Sequence, residues 1–270
     1  MTPDDFQPWL TRWRLTADGP GFTSRFGSAL LPVISEGRPA MLKLAAHVEE
    51  INGAALMDWY QGRGAARVFA RDANAVLLER LVGTASLADM ARAGRDDEAT
   101  AILCDAAGDL HAPRGRPTPP TLVPLLAWFR ALGEAAVASA GIYARAHAVS
   151  NALLAAPRDV VVLHGDLHHD NVLDAGDRGW LAIDPKGLIG ERSFEYANLF
   201  RNPDIDIALA PGRMARQMAN VVRCANVDPR RLLEWIFAYA CLGAAWSSSS
   251  GHDPAPGLAI AAIAEAALTP

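Results

Sequence analysis

Eight consecutive residues, His164-Gly165-Asp166-Leu167-His168-His169-Asp170-Asn171, hold the densest chemistry in the chain. Asp166 and Asn171 stand five positions apart, and a further acid, Asp184, follows the apolar run Trp180-Leu181-Ala182-Ile183. A carboxylate placed to take a proton, with an amide oxygen and a second carboxylate able to ligate Mg²⁺, is what phosphoryl transfer from ATP requires. Such transfer needs the γ-phosphoryl held in line with an acceptor hydroxyl and its charge neutralised. Asp166 is then the catalytic base, Asn171 and Asp184 hold the metal, and His164 braces the loop.

Two rival readings use the same residues. Asp and Asn also cap turns, but that does not account for their spacing between two apolar runs with a third oxygen ligand downstream. The crowding of His164, His168, His169, Asp166 and Asp170 also suggests a metallohydrolase. That reading lacks a further histidine cluster and the two-histidine helical spacing. His168 and His169 read better as packing residues.

Lys43 lies inside the apolar run Met41-Leu42-Lys43-Leu44, where a charge needs a partner. In a phosphotransferase it holds the α- and β-phosphates and pairs with an acid on the following helix. Glu50 is the better placed partner and Glu49 the alternative. The competing role is a sheet-edge lysine facing water. No Gly-x-Gly-x-x-Gly occurs. Gly21–Ser28 stands where a phosphate-covering loop belongs, with the hydroxyls of Thr23, Ser24 and Ser28 as contacts, though a plain surface hairpin fits those residues too. Farther on, Leu78-Glu79-Arg80-Leu81 offers backbone groups to adenine, while Leu77, Leu78 and Leu81 offer apolar surface.

These residues need elements to hold them. Residues 1–82 read as β-rich. Residues 40–45 form one short strand, and 66–71 and 75–79 form a hairpin about Asp72-Ala73-Asn74. Between them Val48, Ile51, Ala55 and Trp59 line one face of a helix that Gly62 and Gly64 end. From about 84 to 157 the chain reads as helices broken by the proline-rich loop 113–120. Val160–Leu163 and Trp180–Ile183 are brief strands flanking the motif. From about 205 the chain is helical again, with Ser247–Pro254 as a loop between two helices. The layout is α+β: a small β-rich nucleotide-binding lobe, 1–82, and a larger, mainly helical catalytic and acceptor-binding lobe, 83–270.

About half of the 270 residues are apolar, enough for a sizeable core, and the net charge is -5. That balance argues against a nucleic-acid binder and accommodates a cationic small molecule. Cys104, Cys224 and Cys241 are scattered, as free thiols of a reducing compartment are. The opening residues, with Asp4 and Asp5, are not expected to form a signal peptide. No apolar run is long enough for a membrane span. A cytoplasmic enzyme, monomeric or weakly dimeric, is expected.

The chain resembles the aminoglycoside and hydroxyurea phosphotransferase family, most of all its streptomycin 6-phosphotransferases. The resemblance rests on Leu163–Asn171, Gly179–Gly187, Leu188–Glu191, Gly62–Arg67, Val227–Leu233 and Ala238–Trp246, and runs from about residue 25 to 268. It implies a protein-kinase-like two-lobed fold with ATP between the lobes and Mg²⁺ on Asn171 and Asp184. Asp166 carries over as base, Lys43 as phosphate-binding lysine and Glu50 as its partner; Ser24, Glu79 and Leu81 are expected along the nucleotide from their place in the first lobe, not from the resemblance. The implied acceptor is a hydroxyl of streptomycin's streptidine ring. Hydroxyurea, another small alcohol, or a nucleotide-binding scaffold without turnover are the alternatives. A guanidinium-bearing acceptor calls for acids or a flat aromatic face. By location, Glu195, Asp204, Asp253 and Trp246 are the candidates, each with an ordinary surface or packing role as the rival reading.

Overall fold

Alternating burial builds the first lobe. The computed structural model describes residues 3–24, 27–139 and 141–269. Strands β1 (Thr16–Ala17), β2 (Phe22–Thr23), β3 (Ala29–Ser35), β4 (Arg38–Leu44), β5 (Val68–Asp72) and β6 (Ala75–Glu79) form one antiparallel sheet. Its order is β1-β3-β4-β6-β5, with β2 also paired to β3. Ala29, Leu31 and Val33 of β3 and Ala40, Leu42 and Leu44 of β4 point to one face. They join Phe6, Leu15, Ala75 and Leu77 in a small core. Helix α1 (Gln7–Arg12) covers it through Trp9 and Leu10, joined by Trp13 at the helix's end. The β-rich reading of residues 1–82 placed no helix at the chain's opening, where Pro8 in the first turn and apolar residues at helical spacing start one.

Helix α2 (Val48–Tyr60) follows β4. It ends earlier than its glycines suggest, because Gln61 itself takes the left-handed conformation, at φ 52°. Its second half, Leu56, Met57 and Tyr60, packs with Ala65 and Ala66 into the core of the other lobe. The two lobes therefore meet along α2.

The second lobe contains α3 (Leu87–Met90), a π-turn at Ala91–Arg95, α4 (Asp96–His111), β7 (Val123–Pro124), α5 (Leu125–Trp128), α6 (Arg130–Ala138) and α7 (Ile142–Ala155). Then come β8 (Val160–Leu163), β9 (Val172–Asp174), β10 (Trp180–Ala182), β11 (Leu188–Glu191) and a 3-10 stretch, Arg192–Arg201. Helices α8 (Ile205–Ala208), α9 (Arg213–Ala225), α10 (Pro229–Ser249) and α11 (Ala255–Leu268) complete it. Strands β9 and β10 form a hairpin, and β11 lies between β7 and β8. The motif residues 164–171 thus lie between β8 and β9, and Asp184 lies just beyond β10.

Ser247–Ser249, expected in a loop, form the last turn of α10, where the Ser247 hydroxyl donates to the Gly243 carbonyl at 3.1 Å. Cys104, Cys224 and Cys241 are free thiols. No described helix is long and apolar enough to cross a membrane.

Candidate active site

Strand alternation decides what the first lobe presents to the seam. Lys43 pairs in register with Leu30 on β3 and Val76 on β6, and Met41 with Pro32 and Leu78. These six residues share the face opposite the small core. They make an apolar surface with one ammonium in it. Leu77, expected to offer surface to adenine, points the other way into the small core.

Lys43 is buried, and its Nζ sits 2.9 Å from Glu50 Oε1 on α2 and within hydrogen-bonding contact of Asp184 Oδ1 from the second lobe. Burial alone would lower the Lys43 pKa, but the Asp184 and Glu50 carboxylates outweigh it, so the value lies above the ordinary 10.5. Burial would likewise raise Glu50, yet the Ser28 hydroxyl, Lys43 and the Ala46 amide bring it below 4.5. Both groups stay charged at neutral pH. Ser28 is therefore spent on Glu50 and Ala46 and is not a phosphate contact.

The motif loop is held from beneath. The His164 imidazole is fully buried; its Nε2 donates to the Ile183 carbonyl at 2.8 Å, and the Asp166 amide donates to its Nδ1 at 3.2 Å. Those two bonds fix the neutral Nε2–H tautomer. The His164 carbonyl accepts from the Lys186 amide at 2.7 Å, joining the motif to the segment after Asp184. Gly165 has φ 82°, and a Cβ there would lie 2.6 Å from Leu188 Cγ, so glycine is required. Gly53 is required on α2, where a Cβ would lie 2.2 Å from the Pro185 carbonyl oxygen. The helix carrying Glu50 thus rests directly on the Asp184-Pro185 turn.

Asn171 Nδ2 donates to the Asp166 carbonyl at 2.9 Å, which leaves Oδ1 as the atom able to face a cation. Asp184 is in the left-handed region at φ 61° and its side chain is 44% exposed, against 10% for Lys43. Held outside the regular strand conformation, its carboxylate meets Lys43 from across the seam. The Asp166 carboxylate accepts from Asn198 Nδ2 at 3.0 Å, on Oδ1. Asn198 was not singled out from the sequence. It lies beyond β11, and neither motif nor spacing connects it to Asp166. Its own carbonyl accepts from Asn202, whose carbonyl accepts from Arg213 of the buried Arg213–Asp96 ion pair. Burial, followed by the Arg213 charge, lowers the His169 pKa to about 4, so that histidine packs neutral beside the pair.

Several expectations are corrected. Glu195 is not an acceptor-facing acid. It is 1% exposed, and its two oxygens accept the amides of His164 at 2.7 Å and Gly165 at 2.8 Å, with His111 Nε2 at 3.2 Å. Burial would raise its pKa, but the His111 hydrogen bond leads the effects that bring it below 4.5. Of the Glu79 groups at the lobe junction, the amide and the carboxylate are already engaged. Its carboxylate takes Arg178 and the Arg67 amide, and its own amide donates to the Arg67 carbonyl. Arg178 also donates to the Gly62 carbonyl at 2.6 Å, so Glu79 ties the sheet to the β9–β10 hairpin. Leu81 packs against the large core where the chain crosses between lobes.

Ser24 closes the turn between β2 and β3: its amide donates to the Ser28 carbonyl at 2.8 Å and its hydroxyl accepts from the Ser28 amide at 3.1 Å. The same expected phosphate loop includes Arg25 and Phe26, which lie outside the described residues. Asp204 caps α8 through the Ile207 amide and pairs with Arg92 at 2.9 Å. Asp253 is exposed and accepts from the Ala255 amide at the start of α11. Trp246 packs edge-on against Trp128 and Tyr239.

Among the described residues, no group of three or more His, Cys, Asp or Glu side chains is placed to hold a metal ion. The oxygens of Asn171 and Asp184 fit a hard cation that takes its remaining ligands from phosphate and water.

A sheet lobe with a buried lysine–glutamate pair, facing a helical lobe with Asp166, Asn171 and Asp184, is the arrangement of protein-kinase-like phosphotransferases. The fold comparison agrees: a thermostable mutant of aminoglycoside phosphotransferase APH(4)-Ia, in its apo form, superposes with TM-score 0.71 at 14% identity, over 98% of this chain and 99% of that one. The model of the aminoglycoside/hydroxyurea antibiotic resistance kinase family matches residues 12–251, and the chain belongs to that family. It is a phosphotransferase with an alcohol group as acceptor. A streptomycin 3''-kinase of Klebsiella pneumoniae is 51% identical over 90% of this chain and 92% of its own length. A streptomycin 6-kinase of Streptomyces griseus is 35% identical over 69% of this chain and 62% of its own.

Proposed function

We propose that this protein phosphorylates streptomycin at its 3''-hydroxyl, with Mg²⁺-ATP as donor. The observation that carries the phosphotransfer reading is the meeting of Lys43 with Glu50 and Asp184 across the seam, above a braced Asp166. The choice of hydroxyl is supported by the higher identity to the 3''-kinase than to the 6-kinase relative, and it replaces the streptidine-ring hydroxyl that the sequence resemblance implied.

On this reading the face of Leu30, Pro32, Met41 and Leu78 covers the adenine, and the Lys43 ammonium holds the α- and β-phosphates. Asn171 and Asp184 would hold magnesium, which when bound neutralises charge on the phosphate oxygens. Asp166, oriented by Asn198, accepts the proton of the acceptor hydroxyl and aims its oxygen. An ATP-consuming reaction suits a cytoplasmic enzyme. Glu195 braces the loop and takes no part in acceptor binding.

The test is ADP release by the purified protein with streptomycin, hydroxyurea and simple alcohols, followed by NMR of the product. Release with streptomycin and a phosphorus coupling to the 3'' proton are expected. Turnover with hydroxyurea alone overturns the substrate, and coupling at the streptidine 6-position overturns the hydroxyl.

A further inference from the structure

The groups assigned so far neutralise phosphate charge from the nucleotide side. Phosphoryl transfer also builds charge on the oxygens of the group in flight, between donor and acceptor, and a cation there has most effect on rate. Residues 164–171 include no lysine or arginine to supply it. Lys186, on the segment after Asp184, brings an ammonium to this place.

Its backbone is fixed, since the Lys186 amide donates to the His164 carbonyl at 2.7 Å. Its Cβ lies 3.3 Å from where a Cβ on Gly165 would stand, so the side chain leaves from beside the motif turn. The ammonium is 4.0 Å from Asp166 Oδ2, while Asn198 occupies Oδ1 at 3.0 Å. A separation of 4.0 Å is too long for a hydrogen bond. Asp166 is already oriented by Asn198, so Lys186 is not needed to hold it. The Lys186 and Asp166 side chains are 24% and 26% exposed, a similar partial opening for the two flanking groups.

We propose that Lys186 is a catalytic residue whose ammonium contacts an oxygen of the transferring phosphoryl group. The inference rests on the phosphotransfer reading above and adds a charge to it. The acceptor oxygen forms a bond to the γ-phosphorus as the bond from that phosphorus to the β–γ bridging oxygen breaks. The acceptor's proton passes to Asp166, ADP leaves with the electron pair, and Lys186 keeps its protons throughout.

Lys186→Ala and Lys186→Arg test it. The alanine variant is expected to lose about 10²–10³-fold in kcat, the range for removing one transition-state donor. KM for ATP and acceptor should change little, because the contact is made only in transfer. Arginine should restore part of the rate, and methylammonium added to the alanine variant should restore some, which a misfolded chain would not show.

A binding measurement without turnover gives a second readout. Lys186→Ala should bind ADP as the wild type does but lose about 10²-fold in affinity for ADP with aluminium fluoride, a mimic of the group in flight. Unchanged kcat, a loss confined to KM, or equal weakening of ADP with and without aluminium fluoride overturns the assignment. If the wild type shows no turnover with any acceptor, the phosphotransfer reading has failed. If it turns over and the Lys186 variants match it, only this inference has failed.

Discussion

Glu195 offers the sharpest separation between two roles for one residue. Its carboxylate accepts the buried amides of His164 and Gly165, at 2.7 and 2.8 Å. Glu195→Ala leaves both without an acceptor. Each buried donor stranded in this way costs roughly 1–3 kcal/mol, or about 2–6 kcal/mol for the pair. In a chain of this size that lowers the melting temperature by something on the order of 10 °C. Glu195→Gln keeps one acceptor oxygen and turns an amide N–H₂ toward the other donor, so it should lose about half as much. Asp166 is the next residue after Gly165, and a displacement of about 1 Å there costs on the order of 10²-fold in rate.

The assay is thermal unfolding of both variants alongside kcat and acceptor KM. Lower melting temperature and lower kcat at near-constant acceptor KM are expected. Unchanged melting with a raised acceptor KM would return Glu195 to the acceptor site and refute the brace. The pH dependence has a definite sign. The folded carboxylate lies below its ordinary 4.5, so its contribution is complete above that value and is lost as pH falls through the lower folded one.

Lys43→Ala should raise KM for ATP and lower transfer, because the ammonium facing Glu50 and Asp184 is gone; normal kinetics would make Lys43 an ordinary strand lysine. Asn198→Ala removes one hydrogen bond to a carboxylate, worth roughly 1.5–3 kcal/mol. If that bond serves orientation in transfer, kcat falls by about 10–100-fold with acceptor KM unchanged, and an unaltered kcat would dismiss it. Asp96→Asn leaves the Arg213 guanidinium, 2% exposed, without its counter-charge, and urea unfolding at neutral pH should show a loss of roughly 3–5 kcal/mol. Burial would raise the Asp96 carboxyl, but Arg213 brings it below 3.8. The wild type should therefore lose this contribution as pH falls below 3.8, and the variant should show a shallower acid slope there.

The candidate groups Asp166, Asn171, Asp184 and Lys43 could be picked out of the sequence because local spacing marks them. Asp166 and Asn171 share one turn between β8 and β9, Asp184 follows the apolar β10, and Lys43 interrupts an apolar strand. The short apolar runs and hairpin of the first 82 residues, followed by helical stretches, also foretold the two-lobed fold. What escaped depends on long-range packing. Glu195 resembles any surface acid until the 3-10 stretch 192–201 folds beneath the motif turn and buries it. Glu79 sits at the lobe junction as expected, yet Arg178, 99 residues later, takes its carboxylate. Asn198 meets Asp166 across 32 residues with no periodicity to announce it. Ser28 looked like a phosphate contact because its partner, Glu50, lies on the far side of β4. The acceptor-site acids were chosen by location alone, and helix starts at Ile205 and Ala255 account for Asp204 and Asp253.

Streptomycin-dependent ADP release by the wild type and by Asp166→Ala, measured beside ATP affinity for both, tests the central claim most directly. The account predicts drug-stimulated turnover in the wild type. It also predicts a loss of about 10²–10⁴-fold in the variant with ATP affinity preserved. Equal turnover in the two proteins would contradict it.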